Sequence, residues 1–134
     1  MAGDISNCDI LVVDDEESLR WLILEEMQKR FPNARLQTAK DGVEGYELAL
    51  ELRPLIVWTC IRMPRMDGLE MIKLIRKNPG LKNTKILVFT GYGSEEVRNR
   101  AFELGADIFL SKGPVETFEE ALSAIAGWMK HETD

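Results

Sequence analysis

Cysteine and histidine are scarce in this 134-residue chain: two cysteines, Cys8 and Cys60, and one histidine, His131. A disulfide framework or a zinc site of clustered thiolates and imidazoles is therefore excluded as the organising device. If Cys8 opens one strand and Cys60 closes a parallel neighbour, several residues at ~3.3 Å rise separate them well beyond the ~7 Å Cα limit for a bridge. Both read as free thiols. No apolar run approaches the roughly 18 residues of a membrane span. The start, Met-Ala-Gly-Asp-Ile-Ser-Asn, has neither the basic nor the apolar stretch of a signal peptide, so a cytoplasmic location is expected, with no membrane partner. Positive charge is also in deficit: 17 Lys and Arg against 23 Asp and Glu give a net charge of -6, and the basic residues are spread. That balance repels a phosphate backbone and argues against nucleic acid as a partner.

What is present is a soluble-domain composition, 45% hydrophobic and 30% charged, in a chain long enough for one core and too short for a second. We read residues 1–134 as a single domain with its core at about 8–130. Apolar runs alternate with helical stripes. Strands are expected at Cys8–Val13, Ala34–Ala39, Leu55–Cys60, Lys85–Thr90 and Ala106–Ser111. Helices are expected at Ser18–Arg30, with Leu19, Leu22, Ile23 and Met27 inward, at Val43–Leu52, at Leu69–Lys77 and at Ser94–Leu104. Phe118, Leu122, Ile125 and Met129 mark a closing helix. Strand and helix alternating with short connections predict an α/β fold with a doubly wound parallel sheet. Ligands of such sheets sit beyond the carboxyl ends of the strands, at the point where strand order reverses.

The first strand ends in Asp14-Asp15-Glu16-Glu17. Acids favour the first turn of a helix whatever else they do, but clustered hard oxygens also suit Mg²⁺ that keeps several waters. Four further features follow in order: Cys60 closing the Leu-Ile-Val-Trp-Thr run, the loop Met-Pro-Arg-Met-Asp-Gly at 63–68, Thr90 before Gly-Tyr-Gly, and Phe109 and Lys112 in Phe-Leu-Ser-Lys. Taken singly, Thr90 is a common strand terminator, Phe109 a core residue and Lys112 a surface lysine.

In sequence and spacing, these features together resemble the response-regulator receiver domain, over residues 9 to 126. The resemblance implies a flavodoxin-like five-stranded sheet of order 2-1-3-4-5 and a role in phosphorelay signalling. It implies that Asp15 ligates Mg²⁺ directly, that Asp14 assists through water and that the Arg62 carbonyl is a third ligand. Thr90 matches the switch hydroxyl, Phe109 the aromatic switch, and Lys112 the lysine that pairs with the phosphoryl group. The implied partners are a sensor histidine kinase or another signalling protein. The face of the fourth helix, fifth strand and fifth helix would serve output, in a monomer or a dimer formed there.

Cys60 stands where the family carries its phosphate-accepting aspartate. A thiol cannot form the acyl phosphate, and its soft sulfur lowers affinity for Mg²⁺. Asp14 and Asp15 disfavour the thiolate while Lys112 favours it, a balance that sequence leaves open. Alternation turns Thr59 to the opposite face, so it does not replace Cys60. The expected function is a stand-alone receiver that works by protein contact without being phosphorylated. An ordinary phosphorylatable receiver carrying an introduced Asp-to-Cys change is the alternative. A small α/β phosphohydrolase using the acidic rim is the rival from another class; no Gly-rich phosphate loop opens the first helix and His131 lies in the polar tail, so we expect no enzyme. A second departure is Lys112-Gly113-Pro114, where the family has proline directly after the lysine in a cis bond; Gly113-Pro114 is read as a shifted turn.

Overall fold

The computed structural model describes residues 8–91 and 93–133. Residues 1–7, Tyr92 of the Gly-Tyr-Gly run and Asp134 lie outside the described residues. Five strands, β1 (Ile10–Val13), β2 (Leu36–Ala39), β3 (Ile56–Thr59), β4 (Lys85–Thr90) and β5 (Ile108–Ser111), alternate with five helices. The helices are α1 (Glu17–Arg30), α2 (Gly42–Leu52), α3 (Gly68–Lys77), α4 (Glu95–Leu104) and α5 (Val115–Thr133). The sheet is parallel throughout, in the expected order β2-β1-β3-β4-β5.

Four of the strands are one to two residues shorter at one or both ends than their apolar runs, although end residues such as Cys60 and Asp107 still donate to the neighbouring strands, at Val13 O and Ile86 O. The expected polar tail is helical as far as Thr133. Pro79–Leu81 is a single 3₁₀ turn, where the Asn78 side chain accepts from the Gly80 amide. Helix starts follow their capping residues: Asp41 accepts from Glu44 N, Asp67 from Glu70 N and Ser94 from Val97 N.

Alternation along each strand feeds two cores. Leu11, Val13, Val57, Ile86, Val88 and Phe109 face α2, α3 and α4. Ile10, Val12, Trp58, Leu87 and Phe89 face α1 and α5, with Trp58, Phe89 and Phe118 in mutual ring contact at 5.2–5.9 Å. In α1, Ile23 and Met27 are buried as expected, but Leu22 is 47% exposed. It borders a cleft between α1 and α5 instead of filling the core.

Register brings the polar residues together. Val13 is level with Thr59, and Thr90 with Ser111. Asp14 and Cys60 are therefore each the next residue off adjacent central strands, and Lys112 is the next off β5.

Candidate functional site

Asp14 and Cys60 leave their strands held by backbone: Asp14 N donates to Ala39 O at 3.1 Å and Cys60 N to Val13 O at 3.1 Å. The loop after Cys60 is pinned at its far end. Gly68 N donates to Ile61 O at 2.7 Å, and a Cβ on Gly68 would collide with the Cys60 carbonyl. Helix α3 thus starts flush against the backbone of Cys60, an approach that only glycine permits.

The Asp14 side chain is fully buried and wholly engaged. One oxygen accepts from Glu16 N at 2.9 Å, the other from Lys112 Nζ at 3.2 Å. Lys112 Nζ also lies 3.9 Å from Glu16, and its backbone amide donates to Thr90 O at 2.8 Å. The Cys60 sulfur lies 3.9 Å from Asp15 Oδ1 and 3.7 Å from the Arg62 carbonyl oxygen. One ligand atom from each of Asp14, Asp15 and Cys60 falls within 4.8 Å of the others. A cleft of about 410 Å³ opens over them, lined by Asp15, Glu16, Cys60, Arg62, Thr90, Gly91 and Lys112.

Burial, reinforced by the neighbouring charge of Asp14, pushes the Cys60 thiol up to about 12, and the opposing pull of Lys112 is smaller. The balance left open by sequence is thus decided for the neutral thiol. Cys8 is also buried, outside any disulfide, with its sulfur 3.3 Å from Ile10 O. Burial raises it to about 11.

Thr90 is buried at the cleft wall. Phe109 is buried too, turned inward against the α2–α4 core with its ring 6.4 Å from Phe102. Thr59 does not line the cleft; its hydroxyl donates to Cys60 O at 2.8 Å. Lys112-Gly113 is trans, and the turn is made by Gly113 at φ 143° followed by Pro114, whose carbonyl accepts from Thr117 N.

Two contributors escaped sequence reading. Asp41 caps α2 and holds Arg65 through two contacts at 3.0 and 3.1 Å, while Gly42 N donates to Met66 O. This pair ties the loop bearing Arg62 to the neighbouring strand end; Asp before Gly at a helix start was its only signal. Glu16, read as one acid in a run, caps nothing with its side chain and borders the cleft instead.

The oxygens of Asp14, Asp15 and Arg62 suit a hard cation, but sulfur occupies one corner of the donor set. That sulfur makes the set poorer for Mg²⁺ than an all-oxygen one.

The family model described as response regulator receiver domain matches residues 10–133. A probable chemotaxis protein CheY of Rhizobium etli is 30% identical over 122 residues, 90% of this chain and 94% of that protein. The transcriptional regulatory protein SrrA of Staphylococcus aureus is 33% identical over 78% of this chain, which spans 41% of its length. Among solved structures, the chemotaxis protein CheY4 of Vibrio cholerae superimposes with a TM-score of 0.77 at 29% identity, over 90% of this chain and 99% of that one.

Proposed function

Because this chain belongs to the response-regulator receiver family of two-component signalling, we propose that it is a receiver domain whose acceptor position is Cys60 and that it signals by protein contact without an aspartyl phosphate. The observation that carries this reading is the position of the Cys60 sulfur, at the carboxyl end of β3 within 4.8 Å of ligand atoms of both Asp14 and Asp15. Phosphotransfer to this family requires a carboxylate oxygen attacking in line, with cationic groups neutralising the equatorial oxygens. A neutral buried thiol supplies no such oxygen.

In this reading Asp14, Asp15 and the Arg62 carbonyl are the remnant of the cation site. Thr90 and Lys112 are the phosphoryl-contact residues, and Phe109 is the aromatic switch. Lys112, paired with Asp14, offsets part of the rim's negative charge itself. The contact surface is the face of α4, β5 and α5, supported by the packing of buried Phe109 against Phe102, which is 39% exposed on α4. A change at the buried ring would reach that surface through one aromatic contact. Receiver domains work with histidine kinases and other signalling proteins, and a partner of that kind is proposed here.

The test is incubation of the protein and its Cys60→Asp variant with Mg²⁺ and a small-molecule phosphodonor, followed by intact mass. The expected result is a gain of one phosphoryl group in the variant and none in the protein. A gain in the protein overturns the reading.

A further inference from the structure

Trp58 is completely buried, and its indole Nε1–H is the one buried side-chain donor among the described residues that has no hydrogen-bond partner. A donor left unpaired in a core is costly and calls for an explanation. A resident water does not supply one, because buried water needs several polar partners and the side chains of this core, Ile10, Val12, Ile23, Leu87 and Leu122 among them, are apolar. Edge-on packing against Phe118, at 74° and 5.9 Å between centroids, offers at best a ring face, a weaker acceptor than a carbonyl oxygen.

Phe89 and Phe118, the two rings packed on Trp58 at 5.2 and 5.9 Å, also line a cleft of about 350 Å³ between α1 and α5. The orphaned donor thus lies one ring behind an open apolar pocket. Its volume is that of a small-molecule site, roughly 300–1,000 Å³. Leu22 and Val115, which border it, are 47% and 72% exposed, apolar surface that an occupant would remove from water. The charged groups of the lining, Glu16 and Lys112, lie 3.9 Å apart and pair with each other, so the cleft matches a neutral occupant better than an ion.

We propose that this cleft binds a small neutral organic molecule whose apolar body ends in a carbonyl group. The body packs against Leu19, Leu22 and Val115, and the carbonyl oxygen accepts from Trp58 Nε1–H. Phe118 is the gate. It is half-buried near the start of α5, after the Gly113-Pro114 turn, where nothing lies within 4 Å of a Cβ built on Gly113. Phe89, by contrast, is held in β4 at 4% exposure. Turning the Phe118 side chain to another rotamer joins the donor to the cleft. The site needs nothing from Cys60, so it stands or falls independently of the function proposed above.

The experiment titrates the ¹⁵N-labelled protein with 2-acetylnaphthalene and with 2-ethylnaphthalene, the same body with and without the carbonyl. Three indole N–H signals are expected, from Trp21, Trp58 and Trp128, and the one lost in Trp58→Phe belongs to Trp58. If that variant does not fold, Trp21→Phe and Trp128→Phe assign the same signal by elimination. At saturation the Trp58 signal should lie downfield with 2-acetylnaphthalene relative to its position with 2-ethylnaphthalene, as an N–H donating to a carbonyl does. Leu22→Glu and Val115→Glu alter exposed positions and should keep the fold. Each should weaken binding of both probes by about tenfold or more, the scale of losing one buried apolar side chain. No saturable shift with either probe, coincident Trp58 signals with the two, or undiminished binding in both glutamate variants would overturn the proposal.

Discussion

Lys112 Nζ lies 3.2 Å from Asp14 Oδ2, joining the ends of β5 and β1 across a sequence separation of 98 residues. The carboxylate is fully buried, while the lysine side chain keeps 25% of its exposure. An isolated buried carboxylate is costly, and Lys112 is the ionic group that offsets that cost.

Lys112→Ala should therefore destabilise the fold by about 1–3 kcal/mol, below the value for a fully buried pair because water reaches the lysine. Urea denaturation checks this. An unchanged midpoint would mean that solvent already satisfies Asp14.

Cys60→Asp should lower stability by about 1–3 kcal/mol in the absence of divalent cation, since it sets a third carboxylate against Asp14 and Asp15. Added Mg²⁺ should restore it. Matching denaturation midpoints for the two proteins, with and without Mg²⁺, would refute the shared pocket.

Both thiols bind their protons more tightly when folded, Cys8 up to about 11 and Cys60 up to about 12, against an ordinary value of 9.0. The stability they contribute is complete below pH 9 and declines as pH rises from there toward the folded values, because the unfolded chain releases those protons first. Cys8→Ser/Cys60→Ser should show a shallower loss between pH 8 and pH 10.5, measured as denaturant midpoints. In the same terms, iodoacetamide at pH 8 should leave the native thiols unmodified and label both in urea.

The Arg65 guanidinium beside Asp41 holds that carboxyl below its usual value. Its contribution is complete above about pH 4, the unfolded carboxylate range, and fades as pH falls through the lower folded value. Arg65→Gln should lower stability at pH 7, where the pair contributes in full, and the gap to the unsubstituted protein should close as pH falls below 4, flattening the acid limb. Because the pair anchors the loop carrying Arg62, faster hydrogen exchange in residues 62–66 is the accompanying signature.

Gly68→Ala should cost about 1–3 kcal/mol, because the new methyl meets the Cys60 carbonyl, which the strand end cannot move aside. A cooperative but lowered thermal transition is the expected result.

Local chemistry determined much of this protein. Ile10–Val13 and Ile56–Thr59 are apolar on both faces, which only a covered parallel sheet tolerates, and Asp67-Gly68 and Ser94 announce helix starts that the caps realise. Periodicity placed the strands and helices, and family resemblance supplied the strand order and the membership of the rim. Tertiary structure alone decided the rest, because each remaining point depends on groups distant in the chain. Leu22 sits on the α1 stripe yet borders the α1–α5 cleft, an outcome set by how closely α5 packs. Asp41 reaches Arg65 only because two loops meet beyond β2 and β3. The protonation of Cys60 turns on burial set against Asp14 and Lys112, a sum of opposing terms whose sign depends on distances that no residue pattern encodes.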